Sequence, residues 1–384
     1  MRNALFFTTI LALGSLAACG DDALDDGPSG GNGGGDQSGG AAQGAGNEGG
    51  SSSSTQPSGG NGGNGGNGGN GGSGGSGGSG GGNTGQPCSP TCTGTSLCDD
   101  SLACLCAPGW TFDGTSCVVE PISDPMTRTK DEVCGRLAAA TQAPATQWNP
   151  GAGGCDPGTV PFDAQVAALR YLNFYRWMVG VGPVQVDTTV AAAEQQCALM
   201  LNYYFGHDPG PDVMCYTPEG AAACGSSLIA GGFGLIGQVD GYALETGQNF
   251  IHHRNVLAVG RAGIWFGASG GSSDMHYGGA YPALPTDPAF VAHPGPGLQV
   301  MSKVPLNWWF VEAGTADTPP LDARVTVIAT GEVKPMTRQH HFGNFSSFQT
   351  AGWTPQADTP YLVELIDDNM AVFGSFQTTF ITCP

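Results

Sequence analysis

The chain runs to 384 residues and holds 66 glycines, so part of its length cannot be packed core. Twelve Lys and Arg stand against 32 Asp and Glu, a formal net charge of -20 that argues against nucleic acid and anionic headgroups as partners. Thirteen cysteines are too many for an ordinary cytosolic protein and suit an exported, oxidised one.

Residues 1–19 read as a signal segment: Arg2, an apolar run from Ala4 to Leu16, then Leu16-Ala17-Ala18-Cys19. The run is too short to span a bilayer and fits the apolar region of a signal peptide. Its end resembles the bacterial lipobox, which implies lipidation of Cys19 and a membrane anchor. The alternative is an ordinary cleavage after an Ala-x-Ala-like site. Setting Cys19 aside leaves twelve cysteines, an even number that can all pair.

Residues 20–87 are a linker, and from 27 to 86 they are Gly, Ser, Asn and little else, with triplets of Asn61-Gly62-Gly63 type. With almost no apolar surface to offset backbone ordering, disorder is expected here. A Gly-rich coil of that length has a root-mean-square span of about 45 Å, enough to hold a folded part off a membrane.

Six cysteines then fall between Cys88 and Cys117, in a segment too short for a core of its own. Cys104-Leu105-Cys106-Ala107-Pro108-Gly109-Trp110, followed by Cys117, resembles an EGF-like module over 88–118. The resemblance implies the pairs Cys88–Cys98, Cys92–Cys104 and Cys106–Cys117. The acidic set of calcium-binding members is missing before Cys88, so no calcium site is expected.

Residues 119–160 read as an irregular connector with one helix near 130–140. Beyond it, Val166, Leu169, Leu172 and Tyr175 recur at helical spacing until Gly180. Asp187 caps a second helix, and Thr217 with Pro218 opens a third. A fourth helical segment spans 237–245. After it, β-branched and aromatic runs at 263–266, 305–311, 323–329, 361–366 and 371–380 read as strands. Helices first and strands after give an α+β fold. Six more cysteines allow fifteen pairings. Closeness in sequence favours Cys134–Cys155 and Cys215–Cys224, leaving Cys197–Cys383.

Leu172-Asn173-x-x-Arg176, Gly182-Pro183-Val184, His207-Asp208-Pro209, Cys215-Tyr216-Thr217-Pro218-Glu219-Gly220, Val239-Asp240-Gly241-Tyr242 and His253-Arg254 come in an order that resembles a bacterial branch of the CAP superfamily (SCP domain). The resemblance implies an α-β-α sandwich over 161–312 with a β-rich extension over 313–384. It also implies a cleft in which His207 and His253 meet, with Glu245 as an acidic partner and candidate catalytic base, and with zinc or another divalent metal in some members. One family acid is replaced by the Ser226-Ser227 stretch, and His252 stands where glycine is expected.

Other features weigh less. Gly267-Ala268-Ser269-Gly270-Gly271 satisfies Gly-x-Ser-x-Gly but lacks the helix that a nucleophile elbow needs. His276, His293, His340 and His341 sit in loop-like surroundings and read as solvated. The pair Trp308-Trp309 reads as packing between sheet and helices. Two functions follow: an envelope-tethered, monomeric, non-catalytic binding module for a lipid, glycan or protein, or a zinc-dependent, peptidase-like hydrolase using His207, His253 and Glu245.

Overall fold

The computed structural model describes residues 96–98, 104–106, 108–112, 117–232, 234–246, 250–261, 263–277, 288–314 and 319–384. The signal segment, Cys19 and the linker lie outside them. Of the cysteines in the expected module pairs, Cys88 and Cys92 lie outside them too, and Cys106 is disulfide-bonded. The module's described part is two antiparallel hairpins, β1 (Ser96–Cys98) with β2 (Cys104–Cys106) and β3 (Trp110–Phe112) with β4 (Cys117–Val119). The whole is a mixed α+β fold.

Helix α1 (Lys130–Ala140) begins where Thr129 accepts a hydrogen bond from the Glu132 amide, half of a Thr-x-x-Glu capping box. Helix α2 (Phe162–Met178) is buried along most of its length and lies at the centre of the helical half. Gly180, at φ +82°, ends it: the Gly180 and Val181 amides turn back to the carbonyls of Trp177 and Arg176. Strand β5 (Gln185–Val186) follows, and Asp187 caps the short turn that leads into α3 (Ala191–Leu201). Thr217 caps α4 (Pro218–Ser226) through the Gly220 amide, with Pro218 at its first position. Then come β6 (Ser227–Gly231), α5 (Leu235–Ala243), α6 (Ile251–Leu257), β7 (Gly263–Ser269) and β8 (Ser272–His276).

The four strands of this half run in the order β5-β7-β8-β6, and helices cover both faces. Period-two alternation sorts the side chains. Leu228, Ile264, Phe266 and Met275 join α2 and α5 in the main core, while Ile229 joins Cys197, Leu201, Ala223 and Cys224 in a second one. Strand β5 covers β7 only as far as Ile264. Side-chain amides pair the rest of that edge. Gln165 of α2 donates to the Phe266 carbonyl and accepts from its amide; Gln195 of α3 does the same at Ala268. Asn202 closes the end, donating to the Ser269 carbonyl and accepting from the Gly271 amide. No free edge is left for a foreign strand along this stretch.

The second half stacks two sheets. One is ordered β10-β17-β16-β12-β13 and the other β14-β15-β11-β9. Their strands are β9 (Phe290–His293), β10 (Gly297–Val300), β11 (Trp308–Ala313), β12 (Asp322–Val327), β13 (Val333–Lys334), β14 (Met336–Phe342), β15 (Phe345–Thr350), β16 (Pro360–Ile366) and β17 (Val372–Ile381). Trp309 meets Trp353 and Phe380 across the gap, so it packs between sheets, while Trp308 meets Phe250. The boundary expected at 312/313 cuts through β11, because β9, β10 and β11 already belong to these sheets.

The three remaining disulfides differ from those expected: Cys134–Cys383, Cys155–Cys215 and Cys197–Cys224 replace Cys134–Cys155, Cys215–Cys224 and Cys197–Cys383. Sequence nearness misled because topology decides which chains meet. β10 lies beside α1 and pairs in parallel with β17, which delivers the C-terminus to Cys134. Helices α3 and α4 pack side by side, and Gly220 permits the approach. A Cβ there would lie 2.8 Å from the Gln196 side chain and 3.0 Å from the Met200 sulfur. These cross-links fit an extracytoplasmic protein.

Candidate functional site

Helix α6 carries two of the residues singled out in sequence. It starts after Phe250, whose φ of +49° turns the chain sharply, and Glu245 reaches across to its exposed first amides. The Glu245 carboxylate accepts from the backbone N–H of His252 at 2.8 Å and of His253 at 3.2 Å. Its other oxygen lies 2.9 Å from His252 Nδ1, and that ring stacks on Tyr242. Glu245 therefore works as a helix N-cap, where a carboxylate meets both the orphan amides and the positive end of the helix dipole. A base so engaged has little freedom to take a substrate's proton.

His253 is completely buried. Its ring packs 4.8 Å from Phe310, 5.0 Å from His293 and 5.5 Å from Phe250, centroid to centroid. Neither of its nitrogens has a hydrogen-bond partner; the Ala243 carbonyl comes near without reaching bonding geometry. Burial, and then the neighbouring His293, hold its pKa well below the usual histidine value. His293 is also fully buried on β9, not solvated as expected; its Nε2 lies 3.0 Å from the Lys303 carbonyl, and burial lowers its pKa to about 4. Both rings are neutral at pH 7.

His207 lies elsewhere, exposed on the loop after α3, with Nδ1 2.8 Å from the Cys224 carbonyl at the disulfide joining α3 and α4. It shares no hydrogen bond, ion pair or ring contact with His253 or Glu245. Among the described residues no three His, Cys, Asp or Glu side chains converge as a metal site. The donor set expected for zinc does not fit: one imidazole is enclosed, one is tied to a backbone carbonyl, and the carboxylate is a cap.

Two polar clusters were not expected. On the α3 face of the sheet, Ser227 donates to Glu194 at 2.6 Å, His276 Nδ1 lies 3.2 Å from the same carboxylate, and Asp274 sits beside it. Burial, reinforced by Glu194, pushes the Asp274 carboxyl well above the usual range. Gly267 is glycine because a Cβ there would lie 2.5 Å from both Asp274 Oδ1 and the Glu194 carbonyl oxygen. This accounts for the first residue of the Gly-x-Ser-x-Gly match, whose Ser269 is buried and is followed by the β7–β8 turn. His276 thus lies on a strand and only partly in solvent, as does His340 on β14, whose neighbour His341 is exposed as expected. A glutamate on the apolar stripe of α3, and Asp274 two residues from His276, were the available signals.

The other cluster gathers around Asp240, which accepts from the hydroxyls of Tyr171 and Tyr175 and pairs with Lys303 at 3.0 Å. Burial first, and Asp240 next, raise both tyrosine pKa values. With its tyrosines protonated and its charge neutralised, this cluster is a joint between α2, α5 and the loop before β11.

The surface offers a different feature near His207. Tyr203, Tyr204 and Phe205 are 48%, 43% and 45% exposed, and Met214 is 61% exposed. The Cys197–Cys224 and Cys155–Cys215 bridges fix the chain on both sides of them. No family model, curated protein or solved structure matches the chain.

Proposed function

We propose that the protein is a CAP-type, non-catalytic binding module, anchored by lipid on Cys19 and held off the envelope membrane by its glycine-rich linker and EGF-like module. One observation carries the binding part: three aromatic side chains stand in solvent on a loop that two disulfides hold in place. Contiguous exposed apolar surface of this kind marks contact sites, and tyrosine supplies much contact area at little entropic cost. The acidic surface disfavours an anionic partner, so the ligand is an uncharged envelope glycan or a protein face. Support for CAP kinship comes from the motif residues. Asn173 brackets the Val184 backbone, and Arg176 grips the carbonyls of Gly182, Val256 and Ala258, joining the segments that the motif order links.

The test replaces Tyr203, Tyr204 and Phe205 together by Ala and measures binding to purified envelope polysaccharide and envelope protein. Exposed positions should leave the unfolding midpoint unchanged, while affinity falls at least tenfold. Undiminished binding sinks the loop. The hydrolase alternative is checked on the same preparation: about one zinc per chain in wild type and none in His207→Ala/His253→Ala, with peptide turnover lost in parallel, would replace the binding reading.

A further inference from the structure

Of the chain's 12 Lys and Arg residues, Arg2 lies outside the described residues. Nearly all the others have a fixed partner. Lys130, Arg136, Arg254, Lys303, Arg324 and Lys334 pair with carboxylates. Arg128, Arg176 and Arg338 donate to backbone carbonyls, and Arg261 donates to Asn255. Arg170 alone, among the described residues, has neither a hydrogen bond nor an ion pair. In a chain of net charge -20 an uncommitted arginine is unexpected.

Its position on α2 suggests why. Arg170 lines a partly open cavity of about 210 Å³ between α1, α2, Pro108 and Gly109, and the stretch Glu120-Pro121-Ile122. The walls are apolar: Phe174, Trp177, Ile122 and Pro183. Trp177 is rigidly held, with Arg128 3.8 Å from its ring centroid and Arg136 at 4.4 Å. Glu120 and Arg136 also line the space but neutralise each other in a direct ion pair. The cavity's unbalanced charge is thus a single guanidinium beside an aromatic wall. A guanidinium presents a planar fork of donors that matches a carboxylate in bidentate fashion. The volume is below that of a drug-sized site, so it admits one residue-sized group.

We propose that this cavity binds an organic carboxylate, its charged end on Arg170 and its apolar body against Trp177 and Phe174. The carboxylate could belong to a free small acid or to the end of a peptide; the chemistry is shared. The site involves none of the residues of the loop at 203–214 and stands or falls separately.

Saturation-transfer NMR on the intact chain tests it with benzoate for a free acid, N-acetylphenylalanine for a chain end, and benzamide and inorganic phosphate as controls. At least one carboxylate should bind, and the stronger of the two identifies the source. Benzamide and phosphate should bind at least tenfold more weakly, and Arg170→Gln should weaken the carboxylate about tenfold or more, as expected for a lost charge-assisted hydrogen bond. Ala139→Phe, which fills the cavity and keeps the arginine, should also abolish binding, and it decides the matter if Arg170→Gln fails to fold. The proposal is overturned if neither carboxylate binds, if benzamide or phosphate binds as well, or if carboxylate binding survives Arg170→Gln or Ala139→Phe.

Discussion

At the residue scale, the pair His253 and His293 has a measurable effect on stability. Both are buried and neutral, with folded pKa values below the ordinary 6.5, that of His293 at about 4. Unfolding exposes them to water, where they take up protons once the pH falls below about 6.5. The unfolded state then binds more protons than the folded one, so stability drops as pH falls from about 6.5 toward 4. The slope is on the order of 1.4 kcal/mol per pH unit for each histidine. Asp274 acts in the opposite sense: its raised folded pKa makes its contribution largest at low pH and loses it as pH rises above the ordinary aspartate value. Urea unfolding of wild type and His253→Leu at pH 7.0, 5.5 and 4.5 separates the two. Wild-type stability minus that of the variant should fall toward acid, because the variant lacks one of the groups that protonate on unfolding. A constant difference would mean that His253 titrates in the fold as it does in the unfolded chain.

At the scale of elements, the edge of β7 is held by side chains from two helices, and its strength can be read directly. Gln165→Leu and Gln195→Leu each keep the approximate volume but strand an amide and a carbonyl of β7. Each should cost about 2–4 kcal/mol by denaturant titration, well above a surface substitution. Glu245→Ala should cost about 1 kcal/mol, the loss of a helix cap. Helix α2 was legible from its helical spacing and its stop at Gly180, and α3 and α4 because their caps are local chemistry, Asp187 and Thr217 with Pro218. Strands β7, β11, β12, β16 and β17 were legible from β-branched and aromatic runs. Strand β8 was not, since Ser272, Ser273 and Asp274 look like loop until α3 supplies Glu194 as their neighbour. Helix α6 was hidden for the same reason: its cap comes from Glu245, outside the helix, after a left-handed Phe250. Of the candidate site, the residue numbers were legible but not their use. Whether an imidazole faces water or a phenyl ring is fixed by packing over more than forty residues of sequence, as with His253 and Phe310.

At the scale of the whole molecule, the Cys134–Cys383 bridge closes a loop with a sequence separation of 249. In the chain-entropy account a ring of that length removes about 5 kcal/mol of unfolded-state freedom, with measured losses usually about 2–5 kcal/mol. Cys134→Ser/Cys383→Ser should lower the urea midpoint accordingly. Removing Cys197–Cys224, which closes a separation of 27, should cost less. The large ring has one more consequence, which concerns damage. A protease that cuts once at any exposed turn between residues 135 and 382 leaves two pieces still on one covalent circuit. Neither can leave the other until a reductant opens the sulfur bridge, so a nicked molecule stays in one piece.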